Sequence, residues 1–345
     1  MSKLCISKST IVDGNLDLSK IEQAEDIKEV EFYHVLLDRS LLAQVHDALP
    51  DVEKFSLQLE NEFLDTTLFL EFEHLKECYI HTFESKLHTF DLSGLAQLPQ
   101  LKTFNIIQSI HSQFEEVDLS PFQESASIEV IWIEGASRHH VYHVRSARPL
   151  RNVDITGLSH CPRLKDLSIS SIVTPFVDLS LLDGSPSLES VKVGDVRNPT
   201  YPILPHFVKQ SDWVRESMGD PSVVKLPRIA SLKSMGCSRF EWMADIDLTP
   251  LSTSPHLRSL YLAGDGIKRI DLSPLSACQD LVELDLQLNK LKEVDITPLM
   301  ECDQLQYITL DKDVQVKVSR DYKDKVFAED WPLRKRLWEH SVLFY

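Results

Sequence analysis

Three histidines lie close together and are the residues best suited to metal chemistry. His139, His140 and His143 contain an H-x-x-x-H spacing, which places two imidazoles on one face only when the segment is helical. The surrounding pattern assigns this segment to a loop, and no cysteine or carboxylate with a fitting spacing accompanies the histidines. Zinc needs three or four protein ligands that converge on one point, and a loop gives these histidines no reason to converge. The sequence therefore predicts no metal site.

Aspartates recur along the chain and are the other candidate ligands. Calcium requires several oxygen atoms per ion within one tight turn, whereas each recurrence brings one aspartate beside an apolar residue. We therefore assign the aspartates to turns and caps. The chain has only 10 glycines, and it contains neither a glycine-rich phosphate loop nor a G-x-S-x-G motif. The sequence thus predicts no enzyme, no catalytic residue and no cofactor.

The same aspartates mark a repeat, which defines the elements of the chain. The pentapeptide DLSPL at Asp271 returns 24 residues later as DITPL at Asp295 and 24 residues earlier as DLTPL at Asp247. A fixed period of this length indicates a stack of repeated units. The wider pattern Asp-x-Ser/Thr-x-apolar begins at Asp17, Asp38, Asp65, Asp91, Asp118, Asp154, Asp178, Asp247, Asp271 and Asp295.

An apolar triplet L-x-x-L-x-L follows ten residues after most of these aspartates, as at Leu281, Leu284 and Leu286. In the unit of Asp38 the triplet comes four residues later, which a longer helix would explain. The 69-residue gap after Asp178 predicts one further unit, with its strand at Leu232, Met235 and Cys237. The other triplets are Ile27, Val30, Phe32; Leu75, Cys78, Ile80; Leu101, Phe104, Ile106; Ile128, Ile131, Ile133; Leu164, Leu167, Ile169; Leu188, Val191, Val193; Leu257, Leu260, Leu262; and Leu305, Ile308, Leu310.

Each unit is interpreted as a strand, a turn, a short helix and a return. Side chains two apart point to one side of a strand, so Leu284 and Leu286 face inward and Glu283 faces outward. Ser273 is expected to cap a short helix that Pro274 begins. The predicted fold class is α/β: a solenoid of about 11 repeats, with parallel strands on the concave face and short helices or turns on the convex face.

The D-[LI]-[ST]-P-L step resembles the leucine-rich repeat family, in the form found in internalin-like and related bacterial and archaeal proteins. The resemblance covers roughly residues 17 to 310. It implies that Asn289, which follows a strand, hydrogen-bonds the turn backbone between units, with Asp265 as the nearest substitute elsewhere. The resemblance also implies that a partner binds on the concave sheet.

Three regions are predicted along the chain. Residues 1–16 form an N-terminal edge strand or cap with Leu4-Cys5-Ile6 as the strand, and residues 17–310 form the solenoid. Residues 311–345 form a C-terminal cap, in which Val314, Val316 and Val318 alternate like a strand that could pair with the last repeat edge. A helix is expected from residue 331 to 338. The alternative for this helix is a docking element with Arg334, Lys335 and Arg336 as its charged face.

Composition limits the partners and the location. The net charge of −17 argues against nucleic acid, which clustered Lys and Arg bind. No apolar stretch approaches the roughly 20 residues of a membrane helix, and we expect no secretory signal at the N-terminus. The six cysteines are interpreted as small, reduced core residues, because stacked helices lie too far apart for a ladder of disulfides. These observations predict a cytoplasmic protein.

The outward positions of the strands form the expected partner surface. Eight of them are acidic, which is consistent either with a solvated surface or with an acidic groove for a basic peptide or protein patch. Aromatic anchors dominate many interfaces. The candidate partner-binding residues are Tyr79, Trp132, Tyr261, Glu283, Asp285 and Tyr307; the acidic positions are Glu29, Glu31, Glu77, Glu134, Asp166, Glu283, Asp285 and Asp311.

Two insertions interrupt the repeat near residues 134–150 and 195–227. The first carries a basic cluster, and the second is rich in proline. Both follow a strand directly, and the outward positions between them are small. We hypothesise that these loops fold over the small patch and either cover or form the binding site, because long loops in a regular scaffold are often functional. The basic cluster consists of Arg138, His139, His140, His143, Arg145 and Arg148.

The sequence predicts a non-enzymatic protein-protein interaction scaffold or adaptor, which binds another protein on its acidic concave face or on its inserted loops. We expect a partner protein with a basic surface, and we expect neither nucleic acid nor a membrane as partner. The alternative is an extracellular or cell-surface adhesion module of the internalin type. The partner's identity and the oligomeric state do not follow from the sequence, because function resides in sites rather than in folds.

Overall fold

The computed structural model describes residues 2–13, 15–17, 26–82, 86–109, 112, 114–136, 150–172, 174, 177–194, 224–240, 243–337 and 340–345. The chain divides into two compact units, Met1–Ile172 and Val173–Tyr345. Both predicted insertions fall largely outside the described residues, and the hypothesis that they cover or form a binding site concerns segments that lie there. The histidines 139, 140 and 143 lie outside the described residues as well.

The first unit contains a parallel sheet in the order β1-β4-β5-β7-β9-β11-β13. Shorter strands form the pairs β2-β3, β6-β8 and β10-β12. The strands are β1 (Ser2–Ser7), β2 (Ile11–Val12), β3 (Asn15–Leu16), β4 (Ile27–Val35), β5 (Lys54–Leu59), β6 (Phe63–Asp65), β7 (Glu77–His81), β8 (Thr89–Asp91), β9 (Thr103–Ile107), β10 (Glu116–Asp118), β11 (Val130–Glu134), β12 (Asn152–Asp154) and β13 (Asp166–Ser170).

Short helices connect these strands. Helix α1 (Arg39–Ala48) begins after Asp38, whose side chain accepts a hydrogen bond from the backbone N–H of Leu41, and it buries Leu41, Leu42 and Val45. Its length confirms the explanation for the late triplet of this unit. The other helices are α2 (Ser93–Gln97) and the 3₁₀ helices Lys8–Thr10, Thr66–Phe69, Ser120–Glu124 and Leu158–His160.

The second unit repeats the arrangement, with a parallel sheet in the order β15-β17-β18-β19-β21 and the smaller sheets β14-β16 and β20-β22-β23. Among its described residues the helices are α3 (Lys323–Phe327), α4 (Arg334–Leu337) and the 3₁₀ helices Leu179–Leu182, Thr249–Thr253, Ser273–Ala277, Thr297–Glu301 and Arg320–Tyr322. The strands are β14 (Val177–Asp178), β15 (Ser190–Gly194), β16 (Val224–Lys225), β17 (Ser234–Ser238), β18 (Ser259–Tyr261), β19 (Glu283–Asp285), β20 (Glu293–Asp295), β21 (Tyr307–Thr309), β22 (Gln315–Val318) and β23 (Val342–Phe344).

Stacked apolar side chains form the core of each unit. In the second unit Leu260 pairs with Leu284, and Leu284 pairs with Ile308 on the next strand. All three are buried, as are Met235 and Cys237 of the predicted additional strand β17. The leucine-rich repeat fold follows directly, because a unit that cannot bury its apolar face alone does so against its neighbours.

In eight units the aspartate of the repeat closes the turn, as the sequence analysis assigned, whereas Ser273 does not cap the helix as predicted. Asp271 Oδ1 accepts from the backbone N–H of Ser273 at 2.9 Å, and Ser273 is itself the first residue of the 3₁₀ helix. The prediction that Ser273 caps was therefore wrong, because the carboxylate reaches the free N–H first. The same contact joins Asp65 to Thr67, Asp91 to Ser93, Asp118 to Ser120, Asp154 to Thr156, Asp178 to Ser180, Asp247 to Thr249 and Asp295 to Thr297.

A second set of side chains ties the turns of adjacent units together. Asn289 accepts from the backbone N–H groups of Asp265 and Ile267 and donates to the carbonyls of Leu262 and Leu286. This confirms the role expected of Asn289. Two earlier units use residues that the sequence analysis did not assign. Asn61 accepts from the backbone N–H of Leu37 and donates to its carbonyl. Gln108 Oε1 accepts from the backbone N–H groups of Ala136 and Leu150.

Five of the six cysteines are buried and free, as predicted for core residues. Cys278 and Cys302 direct their thiols at the carbonyls of Leu251 and Leu275 in the preceding unit, each at 3.5 Å. Cys5 is the exception to the prediction, because it is exposed. It lies in β1 beside Glu31 of β4, at an outward position of the strand.

The C-terminal segment contains the predicted strand with Val316 and Val318, and this strand pairs with the last repeat as expected. Strand β22 pairs with β20, the short strand that ends at Asp295, and the main sheet ends at β21. Strand β23 then adds to β22. Of the predicted helix at residues 331–338, the structure has α4, which begins two residues after Pro332 and buries Leu337. Neither α3 nor β23 was predicted.

Candidate interaction surface

Each main sheet has one face packed on the core and one face that we call the outer face. In β11, for example, Ile131 and Ile133 are buried while Trp132 between them is 45% exposed. The alternation follows from the pleat of the strand. All six candidate partner-binding residues lie on the outer faces, two in the first unit and four in the second.

In the first unit Tyr79 and Trp132 lie on either side of one strand rather than in contact. Asn105 of β9 is in register with Tyr79 of β7 and with Trp132 of β11. The row continues beyond Trp132 to Ser168 and beyond Tyr79 to Ser56. The two aromatic candidates therefore share a row whose centre is an asparagine.

Two lysines form ion pairs with acidic residues of this outer face. Lys3 of the edge strand lies 2.9 Å from Glu31 and 3.7 Å from Glu29, and Lys54 lies 3.5 Å from Glu29. Lys54 Nζ also lies 4.9 Å from the centroid of the Tyr79 ring. The acidic columns of the first unit are thus largely balanced at this edge, which the sequence analysis missed because it did not include Lys3.

The side chain of Tyr79 is held in place by its surroundings. Its hydroxyl donates to Glu77 Oε2 at 3.1 Å, and partial burial together with the Glu77 carboxylate raises the pKa of Tyr79 to about 12. Burial lowers the pKa of His81, whose ring stacks on Tyr79 at 6.5 Å between centroids. Near neutral pH Tyr79 is therefore a protonated hydrogen-bond donor beside an uncharged imidazole.

In the second unit the structure brings the other four candidates together. Tyr261 of β18 pairs with Asp285 of β19, and Glu283 of β19 pairs with Tyr307 of β21. The Tyr261 hydroxyl donates to Glu283 Oε2 at 2.7 Å, which raises the pKa of the tyrosine. Tyr307 is 43% exposed. These four residues form a contiguous group, which we call the tyrosine–carboxylate patch.

No described basic side chain neutralises the two carboxylates of the tyrosine–carboxylate patch. Asp285 accepts from the backbone N–H of Gln287 at 3.1 Å, and Glu283 accepts from Tyr261, but neither carboxylate has an ion pair with a described lysine, arginine or histidine. This contrasts with Glu29 and Glu31 of the first unit. The patch can accept hydrogen bonds from a cationic group and offers two phenol rings for contact.

The described residues contain no group of three or more His, Cys, Asp or Glu side chains placed to hold a metal ion. In the same part of the chain, no helix combines the length and the apolar character that crossing a bilayer demands.

No protein-family model matches this chain, and no curated protein matches it. Similar solved structures include internalin C2 of Listeria monocytogenes, with 16% identity, 79% of this chain and 84% of that chain covered, and a TM-score of 0.42. An internalin of the same organism has 17% identity, coverages of 82% and 67%, and a TM-score of 0.46.

A leucine-rich repeat protein of Leptospira interrogans is similar over 100% of this chain and 90% of that chain, with 15% identity and a TM-score of 0.42. Such identities are compatible with a shared fold and nothing more specific, and these TM-scores support no conclusion about function. The parallel strands and the apolar side chains stacked between successive repeats establish the fold: each of the two units is a leucine-rich repeat array.

Proposed function

We propose that this chain is a non-enzymatic protein-interaction module that binds a basic surface of another protein through its outer sheet faces. The observation that carries the proposal is the tyrosine–carboxylate patch, in which two tyrosines and two carboxylates adjoin without a described basic residue to balance them. Aromatic residues are enriched at binding hot spots, and unbalanced carboxylates favour a cationic partner.

The charge of the chain supports a protein partner rather than nucleic acid. The net charge of −17 opposes binding to a phosphate backbone, which requires clustered positive charge. A cytoplasmic location remains a prediction from the cysteine pattern, and the use of the inserted loops remains a hypothesis about residues outside the described part of the chain.

Affinity capture tests the proposal with the wild type and with the double variant Trp132→Ala, Tyr261→Asp. We expect at least one protein to be retained by the wild type and lost by the double variant, because each unit then lacks an aromatic residue of its outer face. A matched control is Leu181→Ala, which removes an exposed apolar side chain from a 3₁₀ helix. Its captured proteins should equal those of the wild type.

The single variant Tyr261→Asp distinguishes the contribution of the second unit to binding from that of the first. If the proteins lost by the double variant are also lost by this single variant, the tyrosine–carboxylate patch is the site. The proposal is wrong if the double variant retains every protein that the wild type captures, provided that both unfold cooperatively at similar temperatures.

A further inference from the structure

The side chain of Asn105 is an anomaly on the outer face of the first unit. It lies at the centre of β9, where the strand alternation places side chains toward solvent, yet it is only 4% exposed. Among the described residues its Oδ1 atom is buried and has no hydrogen-bond partner. Buried polar atoms are satisfied in the large majority of cases, so an unsatisfied acceptor on a binding face indicates that a donor is supplied by something else.

The neighbours of Asn105 define what kind of donor fits. On one side Tyr79 is already engaged, by Glu77 through its hydroxyl and by Lys54 over its ring. On the other side Trp132 is 45% exposed, and no described cation lies over its indole. The free aromatic surface of the row is therefore on the Trp132 side of Asn105.

Negative charge lies on that same side. Glu134 follows Trp132 by two residues on β11 and points to the same outer face, beside Ile107 of β9. No described basic residue forms an ion pair with Glu134. An amide oxygen, an exposed indole and a carboxylate all favour a positively charged hydrogen-bond donor.

A guanidinium group satisfies these three requirements better than an ammonium group does. It is planar and stacks on an indole, while its N–H groups lie at its edge, where they can reach an amide oxygen and a carboxylate together. We propose that Asn105, Trp132 and Glu134 form a recognition site for an arginine side chain of the protein partner. This site rests on the proposed function and specifies its chemistry in the first unit.

Binding requires a small rearrangement, which provides a signal. Oδ1 of Asn105 is covered in the unliganded chain, so an outer-face neighbour must change rotamer for the guanidinium to enter. Trp132 has the room to do so, because nearly half of its surface faces solvent. Occupation of the site therefore alters the environment of the Trp132 indole.

The test is a titration of the full chain with the peptide acetyl-Gly-Arg-Gly-amide, observed through the indole N–H resonances of the protein. The chain has five tryptophans, and Trp132→Phe identifies the resonance of Trp132. We expect a saturable shift of that resonance. The matching citrulline peptide, which keeps the shape and loses the charge, should bind about tenfold more weakly, and the lysine peptide should also bind more weakly than the arginine peptide.

Two variants assign the interaction to Asn105. Asn105→Leu removes the acceptor and should weaken arginine binding about tenfold, while Asn152→Leu, which alters an exposed asparagine outside the main sheet, should bind as the wild type does. Equal binding of the arginine and citrulline peptides by the wild type overturns the proposal without any variant. Unchanged binding by a folded Asn105→Leu protein overturns it as well.

Failure of this site is distinguishable from failure of the proposed function. If the arginine peptide does not shift Trp132 but Tyr261→Asp still loses captured proteins, the arginine site is wrong and the interaction module stands. If the peptide binds and capture shows no loss in any variant, the arginine site stands and the proposed module is wrong.

Discussion

A buried carboxyl group distinguishes Asp265 from the amide side chains that tie adjacent turns together. Its Oδ1 accepts from the backbone N–H of Phe240 at 3.1 Å, but its Oδ2 is buried and, among the described residues, has no hydrogen-bond partner. In Asn289, one unit later, an NH₂ group stands in place of this second oxygen and donates hydrogen bonds to two backbone carbonyls. Burial, with a smaller contribution from the Asp285 charge, raises the pKa of Asp265 to about 8.

The raised pKa gives a pH dependence with a defined sign. Between about pH 4 and pH 8 the folded state holds a proton at Asp265 that the unfolded chain releases, so the free energy of unfolding falls as the pH rises. Asp265→Asn should remove this pH dependence. Its free energy of unfolding should exceed that of the wild type by a few kcal/mol at pH 8 and differ little from it near pH 4. Urea unfolding at both pH values measures the effect; a gain that does not grow with pH contradicts it.

The phase of the strands is tested by two neighbouring residues. Leu284 is fully buried between Leu260 and Ile308, so Leu284→Asp should lower the free energy of unfolding by several kcal/mol, because it buries an unpaired charge. Glu283→Ala on the outer face, which loses only the partly exposed hydrogen bond from Tyr261, should change it by no more than about 1 kcal/mol. Similar losses in chemical denaturation would show that the strand phase is wrong.

The turn of each repeat is an element whose stability comes from one carboxylate. Asp271→Ala should cost about 1 kcal/mol, the usual effect of losing a side-chain acceptor at a helix start, while Asp271→Asn retains an acceptor and should cost less. The hydrogen bonds from Ser273 lower the pKa of Asp271. Its contribution is therefore present at neutral pH and is lost as the pH falls through the lowered pKa.

Thermal unfolding at pH 7 and pH 3 measures this contribution. The difference between the wild type and Asp271→Ala should be clear at pH 7 and should shrink at the acidic end of the range. An alanine variant as stable as the wild type at pH 7 would mean that the Asp271 carboxylate does not stabilise the turn.

The elements that recur were predictable from the sequence, and the contacts that occur once were not. The period predicted the strands and the buried triplets, because these depend on spacing alone, and the resemblance to leucine-rich repeats implied the role of Asn289. The spacing does not distinguish the acceptor of the turn, since Asp271 and Ser273 both belong to the motif. Lys3 and Asn105 were missed for a different reason: their roles depend on which residues lie beside them on neighbouring strands, and the position in the repeat does not state this.

The ends of the chain were the least predictable part of the molecule. Alternation at Val316 and Val318 indicated a strand at the last repeat, but alternation does not say which of the two strands of that repeat, β20 or β21, becomes its partner. Strand β23 has few residues and no counterpart in the repeat. The alternation along each strand did place the six candidate partner-binding residues on the outer faces, because this depends only on the strand phase.

Removal of the C-terminal segment tests its role as a cap. In this segment Val314, Val316, Leu333 and Leu337 are all buried, and a repeat array needs such cover to remain soluble. A chain that ends at residue 312 should aggregate or unfold below the midpoint temperature of the full chain. The full-length variant Leu333→Asp should show a smaller loss in the same direction, and a soluble, cooperatively folding truncation would contradict the cap.

The aspartates that close the turns also have a collective consequence, because the repeat places them side by side. Asp65 pairs with Asp91, and Asp118 with Asp154, in adjacent parallel strands, and the charges of Asp247 and Asp295 act on Asp271 between them. Such rows of like charge repel along their length, and dissolved ions weaken the repulsion over about 10 Å at 0.1 M ionic strength. Moderate sodium chloride should therefore raise the melting temperature above its value in dilute buffer, where the repulsion between these aspartates acts at full strength.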